Sequence, residues 1–341
     1  MSAQNSSSIT AVLICNTGSP SAPTKEAVKK YLAEFLSDRR VVEMHPLLWQ
    51  PILRCIILPR RSQASADRYK GVWTENGSPL VRTTELTALG MQQLLGDDFL
   101  VEWAMCYGVR RIDEVLPKLL ERRPARIVVL PLFAQYATQT TEAVFDAVRR
   151  VQKAHSDMPP VLAVSQYFDD PDYIQALAER VRAHWEKTGG LGAHGRLMTS
   201  FHGIPAASSE RGDPYEAQCE RTAEALRIAL GLKPEQLVRV FQSKFGRAKW
   251  LEPSAVDTAR ALGKDGLDRL DVICPGFASD CLETLEEIAV ELKGIYEGGG
   301  GSGFHYIECL NAAEDAAKLY AGIVKRRLAE SCQNGEKAGR G

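Results

Sequence analysis

Apolar residues recur along the chain in two rhythms. Compact runs at residues 11–15, 99–106, 126–133 and 161–167, dense in Val, Ile, Leu and aromatic side chains, read as strands buried on both faces. Runs at 196–201, 237–242, 268–274 and 304–309 repeat them in the second half. Between them, residues 25–36, 112–121, 141–154, 172–186, 214–230 and 282–293 place apolar side chains three and four apart, the period of a helix with one buried face. Strands that alternate with helices predict an α/β fold with parallel sheets, because each buried strand needs helices over its faces. Four strands in each half predict two similar domains.

The boundary between them is placed in the polar stretch 152–160, giving domains at 8–155 and 156–330. Gly189, Gly190, Gly192 and Gly195 mark another polar loop, but a crossover helix can precede such a loop inside a domain. Residues 312–328 predict a final helix that packs back on the first domain. The short, polar, glycine-containing segment 331–341 predicts a disordered tail.

One early segment breaks the rhythm. Residues 45–59 hold Leu47, Leu48, Trp49, Ile52, Leu53, Ile56, Ile57 and Leu58, followed at once by Arg60 and Arg61. The stretch suits a buried helix; left exposed, it would line a hydrophobic cleft or touch an anionic bilayer.

The chain's 341 residues leave room for two domains with cores of their own, and its 42 basic and 43 acidic residues give no general footprint for nucleic acid. No run approaches the ~20 apolar residues that span a bilayer. The polar N-terminus lacks the parts of a signal peptide, so a cytoplasmic protein is expected, with peripheral contact at a membrane left open. Eight cysteines without a CxxC pair suit reduced thiols better than a disulfide framework, and their spacing gives no argument for zinc or a cluster.

Candidate chemistry gathers in two places. His202, in SFHGIP, falls at the end of an expected strand, and Gly203 and Pro205 interrupt regular structure there. Open α/β sheets bind ligands at such carboxyl ends, although a lone histidine there is also commonly structural. In PGFASDCLETLEEIAVE, Glu283, Glu287 and Glu291 recur every four residues and would share a helix face, with Asp280 close to it. Leu285, Ile288 and Leu292 lie opposite. Facing solvent, this is an ordinary amphipathic helix; facing a cleft, crowded carboxylates would hold protons more tightly. Aromatics in FQSKFGRAKWL and YKGVWTENGSPL, Tyr69 among them, suit either core packing or a flat conjugated ligand. A Walker loop, a GxGxxG signature matching a dinucleotide site, HExxH and a nucleophile elbow are all missing.

Taken in order, NTGSP, YLAEFLSDRRVVE, YKGVWTENGSPL, LPLFAQYATQTTEAV, SFHGIP, GDPYEAQCERTA, FQSKFGRAKWL, PGFASDCLETLEEI and FHYIECLN make the chain resemble the ferrochelatases over residues 11–328. The resemblance implies two Rossmann-like domains enclosing a porphyrin cleft, with residues 45–59 as an apolar, membrane-touching lip. It puts the catalytic histidine at His202 and the principal catalytic glutamate at Glu283. Asp280, Glu287 and Glu291 match the acidic path that leads from it, and with His202 and Glu283 they are the expected metal contacts. Thr17, Arg60, Arg61, Tyr69, Tyr107, Ser243 and Trp250 are the expected porphyrin-side residues, with Arg60 or Arg61 for a propionate.

The implied reaction is insertion of Fe²⁺, a substrate and not a resident cofactor, into protoporphyrin IX to give protohaem and two protons. A coproporphyrin ferrochelatase and a haem-binding or haem-delivery protein of the same fold remain alternatives. No permanent cofactor is expected. Cys106, Cys274, Cys281, Cys309 and Cys332 do not reproduce the cysteine group of cluster-containing animal relatives, so no iron–sulfur cluster is expected either. A monomer is expected, with a surface-mediated dimer as the alternative and a haem-pathway protein as a candidate partner. The chain departs from its relatives at Thr17, at Cys106 before Tyr107, at Ala206 and Ala207, and at Glu308, which bears on substrate fit more than on catalysis.

Overall fold

The structure, a computed structural model, describes residues 9–246 and 248–338. Eight strands form: β1 (Thr10–Ser19), β2 (Phe99–Gly108), β3 (Arg126–Pro131), β4 (Val161–Ala163), β5 (Arg196–His202), β6 (Leu237–Gln242), β7 (Arg269–Ile273) and β8 (Gly303–Ile307). They make two parallel four-stranded sheets, ordered β2-β1-β3-β4 and β6-β5-β7-β8. All eight expected strands are present, β4 shorter than its apolar run. Each sheet reverses its strand order at its first strand, β1 or β5, and the crevice beside the carboxyl end of such a strand is where open α/β sheets take ligands.

The helices, in chain order, are α1 (Lys25–Phe35), α2 (Pro46–Ile52), α3 (Leu58–Val72), α4 (Pro79–Leu95), α5 (Ile112–Leu120), α6 (Thr141–Ala154), α7 (Pro171–Thr188), α8 (Ala206–Glu210), α9 (Tyr215–Ala229), α10 (Ala255–Lys264), α11 (Leu282–Leu285), α12 (Lys293–Gly298) and α13 (Glu314–Ala338). Two π-helical segments interrupt them, Leu53–Ile57 between α2 and α3 and Glu287–Leu292 between α11 and α12.

Strand β1 shows why the sheets are buried: Ala11, Leu13 and Cys15 face a core with α5 and α6, while Val12 and Ile14 face another. That second core runs through both halves. It joins Val12, Ile14, Val128 and Leu130 of the first sheet to Leu197, Ile273 and Ile307 of the second, through α4, α7 and α13. Helix α13 packs on α4, and Arg327 Nε donates to the carbonyl of Ala163 at 3.0 Å.

Two boundaries differ from expectation. β4 lies beyond residue 155 yet pairs with β3, so a division at 155/156 would strip the first sheet of its fourth strand. The helix of α13 continues to Ala338, through most of the segment read as a disordered tail; only 339–341 lie outside the described residues. No proline interrupts the segment, so the helix begun upstream continues into it. The apolar segment divides its side chains: Trp49, Leu53 and Leu58 are buried, whereas Leu47 is 80% and Leu48 65% exposed.

Candidate active site

His202 ends β5 because the next residue leaves no room for a side chain. A Cβ on Gly203 would meet the Gln242 carbonyl oxygen at 2.8 Å and Trp250 Cε3 at 3.1 Å, so only glycine lets the chain turn here. The partly buried imidazole has Nδ1 2.7 Å from the Gly203 carbonyl oxygen. A carbonyl only accepts, so Nδ1 carries a hydrogen, and in that tautomer Nε2 is the nitrogen that offers a lone pair. Tyr215 donates its hydroxyl to the His202 carbonyl at 3.0 Å and steadies the strand end.

Gln242 is the register partner of His202 on β6 and is buried. Its Oε1 accepts from Ser200 Oγ at 2.8 Å, and its Nε2 donates to the Glu283 carbonyl at 2.7 Å, tying α11 to the strand ends. Ser243 then adopts a left-handed backbone, φ +65°, which costs a non-glycine residue energy and which tends to persist where function needs it. Its hydroxyl donates to the Glu287 carboxylate.

Burial pushes the Glu287 carboxyl up, and the negative charge of Glu283 adds to the shift. The Ser243 hydrogen bond and nearby His202 pull the other way. The arrangement therefore joins a lone pair on His202 to a carboxyl that holds its proton more firmly than an ordinary glutamate.

Glu283 looks toward the first half. With Gly18, Ser19, Tyr69, Pro79 and Cys281 it lines a small cavity between the carboxyl end of β1 and the start of α11. Tyr31 stands edge-on to Tyr69, with ring centroids 6.5 Å apart, and donates to the Gly18 carbonyl at 3.3 Å. Burial first, with the charge of Glu283 contributing, pushes both phenols well up, so they stay protonated.

The π-helix changes the expected acidic face. Its i to i+5 hydrogen bond, Glu291 N to Glu286 O at 2.9 Å, stacks Glu286 on Glu291, not Glu287 on Glu291. Arg68 of α3 reaches both, at 3.6 Å from Glu286 and 2.7 Å from Glu291. Glu287 thus lies near both Glu283 and His202, while Glu291 sits at the cleft rim with Glu286, an acid that four-residue spacing skips. Asp280 is a further correction. It is buried before α11, and its carboxylate accepts from Thr284, Tyr306, the Cys309 amide and Asn311, leaving it as a hub of the loop and not part of the strip.

The expected porphyrin-side residues are placed variously. Thr17 is at the end of β1 and partly buried, its amide bound to Asn16 Oδ1 at 2.8 Å. Trp250 packs on Gly203 and donates to the Phe245 carbonyl at 2.7 Å. Arg61 lies over the Phe245 ring at 4.0 Å, joining α3 to the loop after β6; burial, then Arg68, lowers its pKa. Arg60 is exposed on α3. Tyr107 is committed elsewhere, donating to Asp38 at 2.8 Å and packing against Phe35. Tyr31, Arg68, Gln242 and Glu286 complete the site without having been singled out as site residues. YLAEF and FQS carried Tyr31 and Gln242 within matched motifs, whereas nothing in the sequence marked Arg68 as a cross-cleft partner.

No helix among the described residues is long and apolar enough to cross a membrane. Two solved structures share the fold: SirB from Bacillus subtilis with Fe³⁺, at a TM-score of 0.55 and 12% identity over 95% of this chain and 97% of that one, and CbiX, the terminal enzyme for biosynthesis of siroheme in denitrifying bacteria, at 0.51 and 16% over 92% and 98%. The ferrochelatase of Azoarcus sp. is 46% identical over 95% of this chain and 88% of its own length, and that of Aeromonas hydrophila 44% identical over 94% and 99%. With the Ferrochelatase family model matching residues 9–328, the chain belongs to the ferrochelatase family.

Proposed function

We propose that this metal-inserting lyase places Fe²⁺ in protoporphyrin IX, releasing protohaem and two protons in haem biosynthesis. The observation that carries the reading is the joining of His202, Ser243, Glu287 and Glu283 at the carboxyl end of β5. A free porphyrin holds two pyrrole N–H groups, and all four nitrogens must offer lone pairs to the metal. His202 Nε2 accepts a pyrrole proton without adding negative charge beside the ring. Glu287, already inclined to hold a proton, relays it outward, and Glu283 stabilises the imidazolium so formed. Glu291 and Glu286 at the rim give entering Fe²⁺ or departing protons a charged path. Distortion of the macrocycle, driven by contacts elsewhere in the cleft, would tilt its nitrogens toward the metal.

The lip supports the protoporphyrin reading. Leu47 and Leu48 offer an apolar edge to a macrocycle bearing only two carboxylates, and Arg60 and Arg61 stand beside it for a propionate. The same edge suits peripheral attachment of a monomeric, cytoplasmic protein to an anionic membrane, and docking by a protein that accepts haem. The scattered cysteines favour no resident cluster. Anaerobic insertion assays with protoporphyrin IX and coproporphyrin under matched conditions test the substrate. Faster insertion into coproporphyrin overturns the choice, and stoichiometric binding without repeated insertion would make the protein a haem carrier.

A further inference from the structure

A second cluster of ligating side chains lies on the other face of the second sheet. β7 and β8 are parallel neighbours in which Asp271 stands opposite His305. Alternation along them sends Leu270, Val272 and Phe304 toward the core that holds Ile288 and Leu292 of the π-helix. Ile273 and Ile307 point instead to the core with α7 and α13. Asp271 and His305 share their parity, and α7 delivers His184 to the same spot.

The ligand atoms of His184, Asp271 and His305 all lie within 4.8 Å of one another. Ligands held ~2.0–2.2 Å from one zinc-sized ion in a tetrahedron stand ~3.3–3.6 Å apart, so modest side-chain rotations would close the trio. The two imidazoles cross at 70° with centroids 5.6 Å apart, not stacked flat against each other. His184 Nε2 is buried and has no hydrogen-bond partner, although a fully buried carboxylate is its neighbour.

Outer partners are already built. Asp271 accepts from Arg269 Nε at 2.9 and 3.1 Å and from Trp185 Nε1 at 2.6 Å, and Arg269 is itself held by the Thr188 carbonyl at 3.0 Å and hydroxyl at 2.8 Å. A carboxylate has about four lone-pair sites, so these contacts fix its orientation and leave one for an ion. The positive charge of Arg269 makes the site weaker than one with a free carboxylate.

We propose that His184, Asp271 and His305 bind a divalent first-row transition cation that fastens the crossover helix α7 to the β7–β8 edge, on the sheet face away from the π-helix. Two imidazole nitrogens and one carboxylate oxygen suit zinc, cobalt, nickel or iron better than magnesium or calcium.

The test uses the full chain, stripped of metal by a chelator and titrated with Zn²⁺ for stoichiometry and with Co²⁺ for its visible absorption. A double variant, Glu283→Gln with Glu287→Gln, weakens binding at the active site and should keep one equivalent of Zn²⁺ together with a Zn²⁺-dependent rise in Tm. Adding His305→Ala to that background should remove both. The affinity should fall by more than the ~10–100-fold that loss of a ligand's outer partner costs. His184→Ala should act alike, and because His305 is on an edge strand, circular dichroism of the His305 variant checks that folding is kept. An unchanged Zn²⁺ stoichiometry and unchanged Tm response on removal of His305 would overturn the proposal, leaving the trio as packing around the Arg269–Asp271 pair.

Discussion

The two sheets have the same strand order, and in each an acidic helix follows the third strand. In the first half that helix is α6, where Glu142 and Asp146 stand four residues apart. Arg149 bonds both at 2.5 Å, and Arg40 bonds Asp146 at 2.7 Å. In the second half the pair is Glu283 and Glu287, again four apart, but among the described residues neither has a lysine or arginine within ion-pair distance; a serine hydroxyl and an imidazole stand there instead. Burial pushes the Asp146 carboxyl up, but hydrogen bonds from Arg40 and Arg149 overcome it and hold it below the usual carboxylate range. Burial pushes Glu287 up with no lysine or arginine beside it, and the Ser243 hydrogen bond and His202 oppose that rise without cancelling it. The same topology thus yields a carboxyl held low by arginines in one half and a carboxyl pushed up in the other, and what separates them is the charge of the neighbours.

The largest expected effect falls on the second pair. His202→Ala and Glu283→Gln should each slow metal insertion by ~10²–10⁴-fold, the usual worth of a positioned proton-transfer group, while porphyrin fluorescence still reports binding. Near-parental rates in both would leave the second acidic helix no more catalytic than the first.

Next comes a change in stability whose sign depends on pH. A carboxyl whose folded pKa is raised contributes stability fully below its unfolded pKa and loses it as pH rises through the folded value. Glu287→Gln imitates the protonated form. Urea midpoints should therefore match the parent's at about pH 4 and exceed it at about pH 8, where the parent must bury a charge. An equal midpoint at both would mean that Glu287 is not penalised by its surroundings.

Asp146→Asn should do the opposite and less. It removes a half-exposed ion-pair partner, so a loss of ~0.2–1 kcal/mol is expected, weaker in high salt, with insertion rates unchanged. Smallest is Arg68→Ala. It frees Glu286 and Glu291 at the rim, and stability should fall by at most ~1 kcal/mol, since the guanidinium is 46% exposed. A change in the dependence of insertion rate on Fe²⁺ concentration, with kcat kept, would assign the rim acids to metal entry.

Much of this is legible in the sequence alone. Eight apolar runs marked eight strands because a strand buried on both faces can hold little else, and HGIP placed His202 at a strand end because glycine and proline stop strands. What escaped has physical causes. A π-turn has no sequence signature of its own, so equal spacing of Glu283, Glu287 and Glu291 suggested one face where the backbone makes two. Asp280 is as acidic as its neighbours, and only the donors from Tyr306 and Asn311, 26 and 31 residues on, turn it inward. Tyr107 could not be separated from a ligand contact until Asp38 was seen to take its hydroxyl. β4 was read as a strand, but pairing with β3 is a long-range fact that local polarity at 152–160 could not report.

Helix α13 has a consequence for the order in which the protein can be made. The face of the first sheet that carries Val12, Ile14, Val128 and Leu130 shares its core with Ala316, Tyr320 and Val324, which leave the ribosome long after it. During synthesis that face must wait with an incomplete cover while nearly two hundred further residues emerge, a span in which nascent apolar surface invites aggregation or chaperone capture. The N-terminal half can begin to fold first, yet it is the final helix that completes it, so ribosome-stalled chains ending before α13 should be far more protease-sensitive in β1 and β3 than chains that include it.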